Sequence, residues 1–439
     1  MKYDARTDED RPALPPLWVA ETLLARGGWP VPVLEGIVSL PTLLPDGTLL
    51  TTPGYDPDTG LFVALDRDYP SIKIAPTLDD ARSAIGVLQQ PLIDFLFADS
   101  ARVNFSAALA ALLSVVCRYA IQGNVPLFAV TSHTPASGKG LLADALSVIG
   151  TGRTAPRWAQ PHDRDGDEER KRLMAIALAG DPLILIDNVT RPLGSGALDA
   201  ALTAGSIKDR QLGTHQTLEA PMQAIFFATG NNMTYESDTA RRVVPIALDP
   251  QMERPEERTG FQHSPLLPWV TEQRPQLVAA ALTILRAYFA AGCPSQGITP
   301  MGSFDEWSTL VRQALIWTGE ADLLEGQTQL GRESNPTVEA ERSLLTCWAT
   351  CYPKSEAVTL QRVKQDIELY AALPPKPPNE WNNLRDALGE FDPRYDGNTF
   401  NPKIVGYALR SMQGRVRDGK RLVRGGTTHG TTEWQVTAL

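Results

Sequence analysis

Apolar and polar positions follow three different rhythms along the chain. Across residues 17–74, short apolar pairs are interrupted every few residues by Pro, Gly or Asp. Such a pattern predicts short strands joined by tight turns, a small β-rich unit. Asp46-Gly47 stands between two leucine pairs and predicts a hairpin there. Helical spacing begins at residues 78–89 and returns at 104–121, where the segment is apolar on nearly every side and predicts a buried helix. Between residues 123 and 250, apolar runs starting at Leu127, Leu183, Ala224 and Val243 alternate with helix-like segments. Alternation of that kind predicts an α/β fold with a parallel sheet. Residues 269–292 and 303–324 read as helices, and a break around Pro336 reads as a linker. Beyond it, helices at 337–350, 359–370 and 402–414 precede two basic strand-like runs, the order of a winged-helix-like unit. Residues 1–14 are polar and acidic and read as a disordered tail.

Composition narrows this picture. With 439 residues the chain has room for about three domains. Hydrophobic residues make up 43% and charged residues 21%, which is globular composition with ample core material. Cys117, Cys293, Cys347 and Cys351 form no Cys-x-x-Cys pair, which argues against a zinc site or a disulfide framework and fits a reducing cytosol. No run is long enough to span a bilayer; the longest, residues 105–116, soon meets Arg118. Net charge is −10, so the protein is not coated in polyanion-binding surface. The charge is uneven, however. Residues 400–439 carry seven basic and two acidic side chains, a net of +5, whereas residues 1–100 carry a net of −8. A nucleic-acid contact is therefore expected at the C-terminal end.

The strongest chemical signal is Thr131-Ser-His-Thr-Pro-Ala-Ser-Gly-Lys-Gly140. It joins an apolar strand to a helix, the plan of a phosphate-binding P-loop. Residues Thr134, Pro135, Ala136, Ser137, Gly138, Lys139, Gly140 and Leu141 would wrap the phosphates, with Lys139 as the point charge. Two positions depart from the usual pattern. His133 stands where the first glycine belongs, and Gly140 replaces the hydroxyl that binds Mg²⁺. Ser137 or a water could substitute for that hydroxyl. Further on, the Leu183 run ends in Asp187, a carboxylate placed to hold Mg²⁺ through water. It is followed by Asn188, which can position a water but cannot take its proton. The Ala224 run ends in Thr229-Gly-Asn231, whose amide can meet a γ-phosphate or the attacking water. Arg241 and Arg242 precede the Val243 run, and an arginine reaching a neighbour's γ-phosphate would neutralise developing charge. Each element has a plain reading too: a capped core strand, a Gly-Asn turn, a pair of surface arginines.

Taken in order, these elements resemble AAA+ ATPases, particularly superfamily 3 helicases and the helicase part of phage and plasmid primase-helicases. The resemblance covers residues 126–250 and extends loosely to about residue 325. It implies that Asn231 is the sensor and that Arg242, eleven residues later, is the arginine finger, with Arg241 as the second choice. It implies ATP and Mg²⁺ as cofactors and a homo-oligomeric ring, a hexamer, with ATP at subunit interfaces. In that family a glutamate usually stands where this chain has Asn188. Glu168 or Glu169 is the substitute base expected here, though an exposed acidic loop opening a helix explains them equally. The resemblance also implies a pore hairpin between the Asp187 and Asn231 strands that grips single-stranded DNA, with Lys208, Arg210 and His215 as candidates; a solvated connection is the alternative. The domain plan that follows is a β-rich unit over 1–76, a helical collar over 77–122, an AAA+ core with its helical extension over 123–330 and a winged-helix-like unit over 337–439.

In the last unit Lys403, Arg410, Arg415, Arg417, Lys420 and Arg421 are the candidate phosphate contacts, with Arg424 beside them. The leading expectation is an ATP-dependent DNA helicase or translocase of a mobile element, acting on single-stranded or forked DNA in the cytoplasm. Two alternatives stay open: an ATP-binding loader or switch with little hydrolysis, and a small-molecule phosphotransferase, to which the Gly-Lys-Gly sequence points.

Overall fold

The fold was obtained as a computed structural model, which describes residues 2–4, 8–11, 14–26, 31–98, 101–160, 166–210, 217–236, 238–325, 336–371, 379–428 and 430–439. At its centre is a five-stranded parallel sheet. Its strands are β1 (Leu127–Ser132), β2 (Arg157–Ala159), β3 (Leu183–Val189), β4 (Ile225–Asn231) and β5 (Val243–Leu248), in the order β5-β1-β4-β3-β2. The strands form because their apolar runs are short and continuous, as strands buried on both faces require. Side chains alternate between two cores. Phe128, Val130, Leu185, Phe227 and Ile246 enter one. Leu127, Ala129, Ile186, Phe226 and Ala228 enter the other. The first core is closed by α1 (Leu78–Gln89), α2 (Val103–Val116), α3 (Lys139–Thr151) and α6 (Leu266–Ala290); the second by α4 (Asp167–Ala179) and α5 (Gly196–Thr203).

The segment read as one buried helix over 104–121 is α2 followed by a short 3-10 turn at Arg118–Ala120. Residues 105–116 of α2 are all buried, because the helix lies between the sheet and its neighbours. It packs so closely on α3 that a Cβ at Gly150 would meet Val115 Cγ1 at 2.2 Å. The helix shares its core with the sheet, so packing is continuous across residue 122.

Helix α6 contains Pro275, which has no N–H to give the carbonyl of Thr271. Arg67 Nη1 supplies the missing donor at 2.7 Å. One residue earlier, Arg274 is fully buried. It donates to the Ile149 carbonyl at 3.0 Å and the Tyr69 hydroxyl at 2.6 Å, and it pairs with Asp66. Two arginine contacts thus bind the segment before the sheet to α6 and to the end of α3.

From Gly36 onward the early segment forms short strands. Gly36–Val38 pairs in parallel with Leu61–Val63, and Thr42–Leu43 pairs with Leu49–Leu50 around the Asp46-Gly47 turn. Gly47 takes φ +81°, which glycine adopts without strain. Two stretches depart from expectation: in the tail over 1–14, Lys2–Asp4 pairs antiparallel with Glu9–Arg11, and Leu17–Ala25, within the segment expected to be β-rich, is helical. Past α6, the segment expected to be helical over 303–324 is helical from Asp305 to Thr318, with a π turn at Ser308–Arg312. Its Trp307 donates Nε1–H to Ser114 of α2 at 2.8 Å.

Residues 336–439 form their own core, with Trp348, Val363, Leu388, Val405 and Trp434 at its centre. Helices Pro336–Cys351, Leu360–Ala371, Glu380–Gly389 and α7 (Pro402–Met412) pack beside a sheet whose longest strands are Lys420–Thr428 and Thr431–Ala438. The helix at 380–389 was missed in the sequence, where the proline cluster before it masks its start. No helix among the described residues is long and apolar enough to cross a membrane.

Arg274→Ala is expected to lower unfolding stability by about 3 kcal/mol, since it leaves Asp66 and a buried carbonyl without their partner. Urea titration followed by circular dichroism measures this; a loss below about 0.5 kcal/mol would show that the buried arginine is dispensable.

Candidate functional site

All five strands point the same way, so their C-terminal ends share one edge of the sheet, the edge where open α/β sheets bind ligands. Ser132, Asp187 and Asn231 stand there, on β1, β3 and β4. Asn231 is paired in register with Ser132 and is exposed.

The loop after β1 turns through two left-handed residues, Ala136 at φ 54° and Gly138 at φ 88°. It wraps around Lys139, whose ammonium donates to the Thr134 carbonyl at 3.1 Å and to Ser137 Oγ at 2.8 Å. Ser137 in turn donates to the Thr134 carbonyl at 3.1 Å, so its hydroxyl serves the loop and the lysine. Partial burial draws the Lys139 pKa below the usual lysine value. Helix α3 starts at Lys139, and no side chain caps its first turn. Its free N–H groups and positive dipole end therefore face the loop, as an anion site requires. His133 does not act as a glycine substitute within the turn. Its Nδ1 hydrogen-bonds Asn232 Oδ1 at 2.8 Å, tying the loop to the turn after β4.

Beside the loop lies a cavity of about 510 Å³. Phe95, Leu141, Phe261 and His263 line it together with the backbone of Ala136 to Gly138. His263 stacks on Trp269 at 3.7 Å between ring centroids. A largely apolar pocket opening onto an anion-binding loop suits a planar base joined to phosphates. Pocket residues after β5 carried no motif, so sequence reasoning missed them.

Asp187 is held from two sides. Thr229 donates its hydroxyl to Oδ1 at 2.6 Å and accepts the Asn188 backbone N–H at 3.1 Å. Arg157 Nε donates to Oδ2 at 3.1 Å. The same guanidinium reaches Asp144 of α3 through Nη2 at 2.8 Å, and both carboxylates raise its pKa. Arg157 was missed because β2 has three residues and no motif. Asn188 sits at φ 55°, where β3 and β4 slip in register. Asparagine tolerates that left-handed conformation, while a glutamate would be strained in it. That backbone suits Asn188 better than the glutamate of the resembled pattern. Glu169 accepts from Ser195, and Glu168 pairs with Arg172 at 3.0 Å, so both expected bases are engaged elsewhere.

A protein-held Mg²⁺ ion does not fit these donors. Gly140 has no side-chain oxygen to offer, and each Asp187 oxygen already accepts a hydrogen bond, one of them from a guanidinium that would repel the ion. The expectation that Asp187 holds the metal through water thus meets a competing cation.

The arginine pair is arranged in the reverse of the order expected. Arg242 has 11% of its side chain exposed and binds Asp199 at 3.0 Å and Asp238 at 3.1 Å within its own chain. Arg241 is 68% exposed, with Asp238 at 3.0 Å. Arg241 is the one that can reach outward.

A β-hairpin does stand between β3 and β4: Ser206–Arg210 pairs with Thr217–Pro221. Lys208 faces Glu219 across it at 3.4 Å, an exposed pair that holds the lysine weakly. The Arg210 side chain and His215 lie outside the described residues. Among the C-terminal candidates, Arg415 and Arg417 clamp the buried carboxylate of Glu341 at 2.6 Å each. Arg417 is half-buried in this contact, whereas Arg415 stays exposed and keeps donors beyond the Nη1 that binds Glu341. Lys403, Tyr407 and Arg410 lie on one face of exposed α7, with Arg410 over the Tyr407 ring at 5.2 Å. Arg421 and Arg424 are exposed on the following strand, and Lys420 is half-buried.

No protein-family model matches the chain, and no curated protein matches it. Solved structures give remote likenesses. The A form apo structure of the NrS-1 C terminal region is 10% identical, covering 88% of this chain and 84% of that one at a TM-score of 0.41. The JCV helicase is 13% identical, covering 59% and 73% at a TM-score of 0.26. Neither likeness is near enough to carry an activity across. The architecture stands on its own as a mixed α/β protein whose parallel sheet is compatible with a P-loop ATPase core.

Replacing Arg415 and Arg417 together by alanine should destabilise the C-terminal unit by about 3–5 kcal/mol, because Glu341 would be left buried and unpaired. A thermal melt that matches wild type would contradict that role.

Proposed function

We propose that the chain is a nucleotide-driven DNA-acting ATPase, a helicase or translocase. The observation that carries this is the edge of the sheet: a loop wrapped around Lys139, an uncapped helix N-terminus, Asp187 and Asn231 stand together beside a base-sized pocket. ATP fits this arrangement, its phosphates on the α3 amides and Lys139, its base among Phe95, Phe261 and Leu141. Asn231 is placed to sense the terminal phosphate. Arg241 supports assembly into a ring, since an exposed arginine just before β5, at the edge of the sheet opposite Ser132 and Asn231, would complete a neighbour's site. The sequence resemblance supports a hexamer and a replicative role in a phage or plasmid. The hairpin at 206–221 is the candidate DNA contact within a ring. The Lys403, Tyr407 and Arg410 face of a winged-helix-like unit is a second, combining charge with an aromatic surface.

A second reading, an ATP-binding loader or switch with little hydrolysis, is favoured by one observation. Asn188 takes a left-handed turn where a glutamate would be strained, Glu169 accepts from Ser195, and Glu168 faces Arg172. The phosphotransferase alternative gains nothing comparable.

Phosphate release by the purified protein, with and without single-stranded DNA, separates these readings. DNA-stimulated release abolished by Lys139→Ala supports the motor. Nucleotide binding without release, lost in the same variant, supports the switch. Absence of both rejects nucleotide chemistry at this edge. For the DNA surface, Lys403→Ala and Arg410→Ala should each lower the slope of log affinity against log salt by about 1, read by fluorescence anisotropy of a labelled oligonucleotide.

A further inference from the structure

Three observations converge on one side chain. Arg157 reaches from β2 into the space between Asp187 and α3, joining Asp187 through Nε at 3.1 Å and Asp144 through Nη2 at 2.8 Å. Its Nη2 lies 3.8 Å from where a Cβ would stand on Gly140. Gly140 is the position whose hydroxyl binds Mg²⁺ in P-loop enzymes, and Asp187 is the carboxylate that completes such a metal site. Gly140 and Asp144 are one helical turn apart, so one face of α3 presents both the missing hydroxyl and the acid that anchors the guanidinium.

We propose that Arg157 is the resident cation of the phosphate site, in the place a divalent ion would take, and that nucleotide binds here without Mg²⁺. This rests on the nucleotide reading above. The anchoring leaves donors to spare. A guanidinium has five N–H groups, and among the described residues its Nη1 has no protein partner. With Nε and Nη2 fixed by two carboxylates, the remaining donors form a planar fork suited to phosphate oxygens. The side chain is 46% exposed, so a ligand can reach it. Its charge is permanent, and a metal ion entering between Asp187 and the loop would meet like charge at close range. The absence of a hydroxyl at Gly140 and the presence of Arg157 are then two sides of one change, which exchanges an external cation for a covalently attached one.

Binding of N-methylanthraniloyl-ATP, followed by fluorescence anisotropy in Mg²⁺ and in excess EDTA, tests this without relying on turnover. The full chain should bind with affinities within about threefold of each other in the two conditions. In EDTA, Arg157→Gln should weaken binding about tenfold or more, the loss of one charge-assisted contact. Arg157→Lys, which keeps the charge and loses the fork, should fall between. Wild-type binding that vanishes in EDTA and persists in Mg²⁺ overturns the proposal and leaves the nucleotide reading standing. No binding in either condition removes both. Arg157→Gln binding as wild type in EDTA shows an ion pair that serves only the fold, and likewise overturns it. The wild-type comparison decides even if the variants fail to fold.

Discussion

A parallel sheet sealed on both faces leaves only its two ends open to solvent, and that condition decides where chemistry can stand in this protein. Phe128, Phe226 and Phe227 are buried on opposite faces, so nothing reactive is placed along the strands. What can react is what the strands carry at their tips. Parallel direction puts every tip at one edge, so segments far apart in the chain contribute to the same site without long connections. The register then sets the detail. Asn231 lies opposite Ser132, and Thr229, two residues back on the same face, reaches Asp187 on the next strand. A threonine buried at 3% exposure would be a poor choice for a core strand unless its hydroxyl had a partner, and here it has two.

Much of this was legible in the chain because burial on both faces leaves a plain trace. Four of the five strands are apolar runs bounded by turns, and the loop at Lys139 carries its chemistry in residue types. What escaped reading has a common cause: it depends on pairs distant in sequence. Arg157 is an ordinary arginine on a three-residue strand until the fold sets Asp144 and Asp187 beside it. Arg242 looks free in the sequence, yet Asp199, 43 positions earlier, draws it inward. Glu341 lies more than seventy residues before the two arginines it binds, so the basic run near the C-terminus looks more available than it is. Asn188 was visible as a departure; its left-handed backbone was not.

Arginine is the residue through which the acidic character of the chain is put to structural use. Net charge is −10, so most guanidinium groups can find a carboxylate or a carbonyl inside the fold. Arg274 closes the base of α6, Arg67 completes the hydrogen-bonding gap left by Pro275, and Arg415 and Arg417 hold Glu341. Counting basic residues therefore overstates the surface left for a polyanion. The exposed basic residues of this unit, Lys403, Arg410, Arg415, Arg421 and Arg424, are few and close in sequence, and a contact built on them is local and sensitive to salt.

The same preference for arginine bears on how the site would work. A metal ion comes and goes, whereas a guanidinium on β2 stays bonded to the elements it joins. Arg157 touches Asp187 at the end of β3 and Asp144 on α3, so phosphate drawn to its free donors would pull on both. Asp187 is bonded to Thr229 on the sensor strand, which continues to Asn231. A chain of direct contacts thus runs from α3 through Arg157 and Asp187 to β4. Turnover asks for a base to deprotonate water, which Asn188 cannot be; conformational response to a bound nucleotide asks only for a charge that moves with its partners. Arg157 offers the site proposed above a fixed charge bonded to both β3 and α3; the proposed hydrolysis would call for a proton acceptor other than Asn188.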